Sequence, residues 1–265
     1  PFSAGLEILH NFTLIHDDIM DNDDLRRGVS TVHKKWGIPI AICAGDLLFA
    51  KVFEAMTELA PTHVPRRHIL QCIERTAKGT TLICEGQVMD IIFPESNDIS
   101  EEDYLSMVGK KTSALFKTCA EVGAIIGGGK GEQVEALGEF AWNAGIAFQI
   151  IDDYLGTVAD EQTLGKPIGS DLREGKRTLI VIHALKNASG DQRELVRGVL
   201  GNEEAEDKDV YQAIKILEEI DSLDYTLGKA YNYAEKAKSY LKDFKENDAK
   251  KDLIDLVDYF IQRTY

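Results

Sequence analysis

The sequence predicts an all-α fold in a single domain, and three observations carry that prediction. Apolar residues recur every three to four positions through almost every segment, the period of an amphipathic helix. No run alternates apolar and polar residues over a strand length between turn signals. The six prolines fall mostly where helices should stop, with Pro61 and Pro65 in one loop, Pro94 in another and Pro167 in a third.

The elements follow in order. The chain is helical in pattern from Pro1 onward and lacks an initiating methionine, so its own beginning is expected to be missing. An aspartate-rich stretch, residues 16 to 27, is read on a helix. Ser100 followed by Asp103 reads as a capping box opening a helix. Leu115, Cys119, Val122 and Ile126 form one apolar stripe, and the glycine run from Gly127 to Gly131 breaks the helix after it. Val134, Leu137, Ala141, Ala144, Phe148 and Leu155 form another, with Asp152 on the same face. The polar stretch from Gly156 to Thr178 reads as a long loop, and a loop of more than about 15 residues in a compact domain is functional or disordered. Two further stripes follow: Leu227, Tyr231, Ala234, Ala237 and Leu241, then Leu253, Leu256, Val257, Phe260 and Ile261. No internal repeat or low-complexity tract interrupts the pattern.

Composition narrows the function. The 265 residues include 30 Lys+Arg against 45 Asp+Glu, a net charge of −15, which argues against binding nucleic acid or an anionic membrane. No apolar run approaches the roughly 18 residues that span a bilayer, and no basic-then-apolar leader is expected. Cys43, Cys72, Cys84 and Cys119 are scattered, and read as reduced, half-buried core residues of a cytoplasmic protein.

Two carboxylate clusters carry the chemistry. In the first, Asp17 and Asp21 are one helical turn apart and Asp18 stands three positions before Asp21. Like charges at that spacing repel, so a cation is expected among them. Oxygen-only ligation with no thiol nearby suits Mg²⁺, which takes one or two carboxylates plus water and substrate phosphate. A solvated acidic helix face is the competing account. In the second cluster, Ala144, Phe148, Ile151 and Leu155 surround Asp152 and Asp153, so Asp152 should be partly buried. A buried carboxylate needs a partner, and metal ligation supplies one. Gln149 lies one turn from both acids and can hold a ligand oxygen. Two such patches facing each other would hold several Mg²⁺ ions around one diphosphate. Arg26, Arg27, Lys110, Lys111, Lys166 and Lys176 are candidate cations for completing the cage, with Thr112 beside them.

Taken together, these blocks resemble the trans-polyprenyl diphosphate synthases that make farnesyl or geranylgeranyl diphosphate. Asp17-Asp18-Ile19-Met20-Asp21 matches the family's first aspartate-rich motif, with Arg26-Arg27-Gly28 following. Gly86-Gln87-Val88-Met89-Asp90, Lys111-Thr112 and the run from Phe148 to Asp153 match later blocks. The runs Gly165 to Asp171 and Gly175 to Thr178 match the loop beyond. The resemblance is clear to about residue 185 and looser after it.

The resemblance implies an isoprenoid-synthase bundle around a central apolar cavity, acting as a homodimer. It implies Mg²⁺ ligation by Asp17, Asp21 and Asp152, with Asp18 and Asp153 in support. Arg26, Lys111, Thr112, Gln149, Lys166 and Lys176 would hold the allylic diphosphate, dimethylallyl, geranyl or farnesyl. Arg27 and His10 would hold isopentenyl diphosphate; His10 is seven residues before Asp17 and so on the same helix face. Phe12 and Thr13 would form the floor that limits chain growth. One aromatic beside a small residue implies a somewhat deep floor, hence geranylgeranyl diphosphate as main product and farnesyl second. Phe12 as plain core packing is the alternative there. Two departures stand out. The third aspartate of the family's second motif is Gly156 here, which should weaken the second metal site. The upstream helical segment whose Lys and Arg bind isopentenyl diphosphate has no counterpart in the sequence, so the chain is expected to be N-terminally incomplete.

Rival readings are a metal-dependent phosphohydrolase built on His16-Asp17, a terpene cyclase, and a non-catalytic regulatory subunit of a prenyl synthase. The first needs a second histidine cluster that six scattered histidines do not provide. The second would typically carry an Asn/Ser/Glu triad in place of Asp152-Asp153. The third tends to lose its aspartates. A calcium loop at Asp21–Asp24 fails because Leu25 and Arg26 stand where a ligand and the turn glycine belong. The sequon at Asn187-Ala188-Ser189 reads as chance.

Overall fold

In a computed structural model of the chain, the described residues are 1–96, 98–158 and 168–262. The apolar periods resolve into helices: α1 (Phe2–Met20), α2 (Val32–Trp36), α3 (Ile38–Thr57), α4 (Arg66–Ile92) and α5 (Glu101–Val108). A π-helical turn over Gly109–Ser113 leads into α6 (Ala114–Ile126) and α7 (Gly131–Val158). A short helix, α8 (Ser170–Arg173), precedes α9 (Leu179–Asn187), α10 (Gly190–Val199), α11 (Asp207–Glu219), α12 (Ser222–Ser239) and α13 (Asp248–Gln262). Among the described residues the β-structure is confined to a two-residue ladder. In it Leu25 lies opposite Ser30 and Arg26 opposite Val29. Its loop is Arg27-Gly28, both left-handed at φ 53° and 77°, the backbone a tight hairpin requires.

Packing divides the chain into two compact units, residues 1–79 with 118–135 and residues 80–117 with 136–265. In the first, α1 runs antiparallel to α3, and glycines set how closely they approach. A Cβ on Gly5 would stand 3.2 Å from Met56, and one on Gly45 would stand 2.2 Å from the His16 ring. Phe2, Leu6 and Leu9 are buried in this unit, as are Val52, Ala55 and Met56.

The stripe expected at Leu115, Cys119, Val122 and Ile126 is displaced. The buried positions of α6 are Ala114, Thr118, Glu121, Val122 and Ile125. Two polar residues hold the core face because the fold satisfies them. Thr118 fits against Gly79, where a Cβ would meet its Oγ1 at 2.1 Å, and Glu121 takes an ion pair from Arg75 at 3.2 Å. Hydropathy alone cannot see that exchange. The cysteines also differ from expectation: none is in a disulfide, but Cys72 alone is buried and Cys43, Cys84 and Cys119 are exposed.

The second unit is organised on α7, which is buried on nearly all sides from Gly138 to Thr157, as a central helix should be. Ile146, Ile150, Ile151 and Leu155 pack with Tyr104, Val108 and Leu179. A separate cluster around Leu172, Ile180, Val196, Val210 and Leu217 ties α8 to α11 together. Phe260 of α13 packs edge-on against Phe116 and Phe148 at 5.8 and 5.2 Å. The C-terminal stripes hold, except that Tyr231 and Leu256 are exposed and Ala230 takes a buried place in α12.

Local signals behave as the sequence suggests. Ser100 and Asp103 form the capping box. α6 stops at Ile126, Gly128 adopts φ 78°, and α7 begins at Gly131. The expected loop from Gly156 to Thr178 is shorter at both ends, since α7 runs on to Val158 and α8 forms at Ser170. Between them, Gly165, Lys166 and Pro167 lie outside the described residues.

Candidate functional site

The first carboxylate cluster forms where α1 ends. Asp21 is the C-cap residue, and its backbone N–H donates to the Asp17 carbonyl at 2.8 Å. Asp17 is half-buried and Asp21 exposed, while Asp18 turns inward and is only 4% exposed. Arg26, on the first strand of the hairpin, donates its Nε to Asp18 Oδ1 at 2.8 Å and its Nη2 to the same oxygen. The cation expected among the acids is therefore built in for Asp18, and Lys34 plays the same part for Asp24 at 2.8 Å. The hairpin places Arg27 next in line, exposed.

His10, on the same helix, is half-buried. Burial holds its imidazole below the ordinary value; Glu7 opposes that, and Arg27 and Arg26 add to it. Thr13 donates its hydroxyl back to the His10 carbonyl at 2.8 Å. Phe12 is not a lone aromatic. His16 meets it edge-on at 4.9 Å, Phe49 of α3 lies 5.1 Å away, and Phe53 meets Phe49 at 5.2 Å. Phe49 and Phe53 went unmarked in the sequence because only the antiparallel packing of α3 on α1 brings them to Phe12.

The second cluster lies in the second unit, in a cavity of about 230 Å³ whose lining includes Lys111, Thr112, Gln149, Asp152, Asp153 and Lys176. Five of the residues marked in the sequence from 111 to 153, and Lys176, thus meet in one place. Asp153 is the more buried of the two acids and Asp152 is half-buried. The Tyr104 hydroxyl donates to Asp153 Oδ2 at 2.6 Å, and Gln149 Nε2 donates to Oδ1 at 2.9 Å. Thr112 Oγ1 in turn donates to Gln149 Oε1 at 2.8 Å. Burial, then the charge of Asp171, pushes the Asp153 carboxyl up to about 7 against the pull of these two donors. Lys111 is paired with Asp90, whereas Lys110 turns away to Glu85 at 2.8 Å.

Backbone geometry explains how Lys111 and Thr112 reach the cavity. They sit in the π turn, and Gly86 of α4 packs directly on it, where a Cβ would stand 2.2 Å from the Lys111 nitrogen. Gly145 of α7 makes a like approach to Ser113. A π turn of this kind often marks a functional site.

The glycine at position 156 also has a physical reason. A Cβ there would stand 2.3 Å from Asp171 Oδ2, so the carboxylate of Asp171 fills the space a side chain at 156 would need. Asp171 is buried, and Lys176 holds it at 2.8 Å while also pairing with Glu174 at 3.0 Å. Tyr104 went unmarked in the sequence, where it carries no local signature; Asp171 belongs to a marked block, but its place against Gly156, 15 positions earlier, was not foreseen.

The donor chemistry fits Mg²⁺. Asp17 and Asp21 offer oxygen alone, one turn apart, and Asp152 does so at the cavity. Among the described residues no group of three His, Cys, Asp or Glu side chains forms a closed metal cage. Asp18 accepts from Arg26 through Oδ1 alone, and Asp153 accepts from Tyr104 on one oxygen and from Gln149 on the other.

The family model described as polyprenyl synthetase matches residues 1–217. A geranylgeranyl diphosphate synthase of Saccharolobus solfataricus is 44% identical over 98% of this chain and 79% of its own. The crystal structure of a geranylgeranyl pyrophosphate synthetase from Pyrococcus horikoshii superposes with a TM-score of 0.92. It is 40% identical and covers 99% of this chain and 79% of that one. A polyprenyl synthase from Caulobacter crescentus, complexed with calcium and isoprenyl diphosphate, has a TM-score of 0.88. It is 34% identical and covers all of this chain and 78% of that one.

Proposed function

The chain belongs to the polyprenyl synthetase family and is a prenyltransferase of the short-chain type; from that premise we propose that it condenses isopentenyl diphosphate with an allylic diphosphate, giving mainly geranylgeranyl diphosphate and farnesyl diphosphate second. The observation that carries the reading is the meeting of Lys111, Thr112, Gln149, Asp152 and Lys176 at one cavity. That set combines point charges, neutral donors and a carboxylate, as a metal-bound diphosphate requires.

In this account Asp17 and Asp21 would hold Mg²⁺ in the first unit, and Asp152 would hold it in the second. When bound, the ions neutralise charge on the diphosphate as it departs. Lys111 and Lys176 add fixed positive charge for the same purpose at the cavity of the second unit. Thr112 and Gln149 orient the phosphate oxygens. The allylic C–O bond breaks with its electron pair leaving on the diphosphate. The double bond of isopentenyl diphosphate, held by His10 and Arg27, then forms the new C–C bond. The proton lost in the final elimination goes to the released diphosphate. Lys166, outside the described residues, is assigned to the allylic diphosphate by resemblance alone.

Growth of the product ends on α1. Phe12 stands five residues before Asp17 and is backed by Phe49 and Phe53, so a stack of rings, not one ring, forms the floor. The chain works as one synthase domain, as a cytoplasmic homodimer. Among the described residues no helix is long and apolar enough to cross a membrane. Family membership weighs against the phosphohydrolase alternative. Incubation with labelled isopentenyl diphosphate and each allylic primer, with product lengths resolved, tests the reading; release of phosphate without elongation would refute it.

A further inference from the structure

Four side chains in the second unit form a directed chain of hydrogen bonds that no ligand is needed to explain. Tyr104 of α5 is fully buried yet lines the cavity. Its hydroxyl donates to one oxygen of Asp153 at 2.6 Å, and Gln149 donates to the other at 2.9 Å. Thr112 donates to the Gln149 carbonyl at 2.8 Å. The chain fixes which way the Gln149 amide points, because a flipped amide would set its carbonyl against the Asp153 carboxylate. Asp153 is the hub, anchored on the far side by Tyr104.

Resting on the synthase reading above, we infer that Tyr104 is a positioning residue for the diphosphate. Through Asp153 it holds Gln149 and Thr112 in the orientation that receives phosphate oxygens. A buried carboxylate with a donor on each oxygen cannot turn, and an amide bonded at both ends cannot turn either. Removing the phenol hydroxyl releases the hub, and both polar groups facing the ligand lose their fixed direction. Asp153 itself acts through its neighbours and does not touch the substrate.

The test is a double-mutant cycle on Tyr104→Phe and Thr112→Val, read by calorimetric titration with inorganic pyrophosphate and Mg²⁺, and by KM for the allylic diphosphate. The Tyr104→Phe variant should weaken pyrophosphate binding and raise KM by about tenfold, the scale of one charge-assisted hydrogen bond. Thr112→Val should cost less in the Tyr104→Phe background than it costs alone, because the amide that aligns Thr112 is already released there. Val196→Ala, in the separate cluster behind α9, is the control for lost stability: it should lower Tm and leave affinity unchanged. Wild-type affinity in Tyr104→Phe, multiplying effects in the double variant, or an equal loss in Val196→Ala would overturn the relay. A wild-type protein that neither binds pyrophosphate nor elongates a primer would overturn the synthase reading beneath it.

Discussion

Asp18 and Asp153 each follow an acid assigned to the ligand, and a helix turns successive side chains through about 100°. When Asp17 and Asp152 are half-buried at the surface of their clusters, the next residue in each case points into the protein. There one meets Arg26 and the other meets Tyr104 and Gln149. Asp18→Asn should therefore act through Arg26. We expect a loss of about 1–3 kcal/mol in stability, read by denaturant unfolding, together with a raised KM for the allylic diphosphate. Phe12→Ala should lengthen the product, and Phe12→Ala with Phe49→Ala should lengthen it further; an unchanged product profile would remove the ring stack from the floor. The acids were legible in the sequence because charge at helical spacing is a local signal, and Lys111 through the Lys111-Thr112 block of the family resemblance. Tyr104 was not, because its meaning comes from a partner 49 residues away.

At the scale of elements, close approaches at glycine decide where functional side chains stand. The π turn can present Lys111 and Thr112 only while Gly86 leaves room for its backbone. Gly86→Ala would put a methyl group 2.2 Å from a main-chain nitrogen that cannot move aside as a side chain end can. Overpacking of this kind costs about 1–3 kcal/mol, so calorimetry should show a Tm several degrees lower with pyrophosphate affinity falling alongside. Gly156→Ala should likewise destabilise, and Asp171→Ala should relieve it in the double variant, because the obstruction at 156 is the Asp171 carboxylate. Helix existence, the capping box at Ser100 and the break at Gly127–Gly131 were readable from residue type. The phase of α6 was not, since Thr118 and Glu121 are buried against Gly79 and Arg75. The hairpin at Arg27-Gly28 was hidden by its length of two paired residues a side.

On the scale of the whole molecule, a net charge of −15 sits with a protein whose working cations are few and individually placed. Arg26, Lys111 and Lys176 are each held by a carboxylate, Asp18, Asp90 and Asp171 respectively. Such pairing fixes the cations before a diphosphate arrives, at the cost of some of their charge. Metal ions restore the balance in the proposed reaction, which makes dependence on Mg²⁺ the central claim. The direct measurement is incubation of the chain with labelled isopentenyl diphosphate and farnesyl diphosphate, with Mg²⁺ or with EDTA, separating products by length. The account predicts a geranylgeranyl product in Mg²⁺ and none in EDTA. Elongation that persists in EDTA, or phosphate release with no elongation in Mg²⁺, would contradict it.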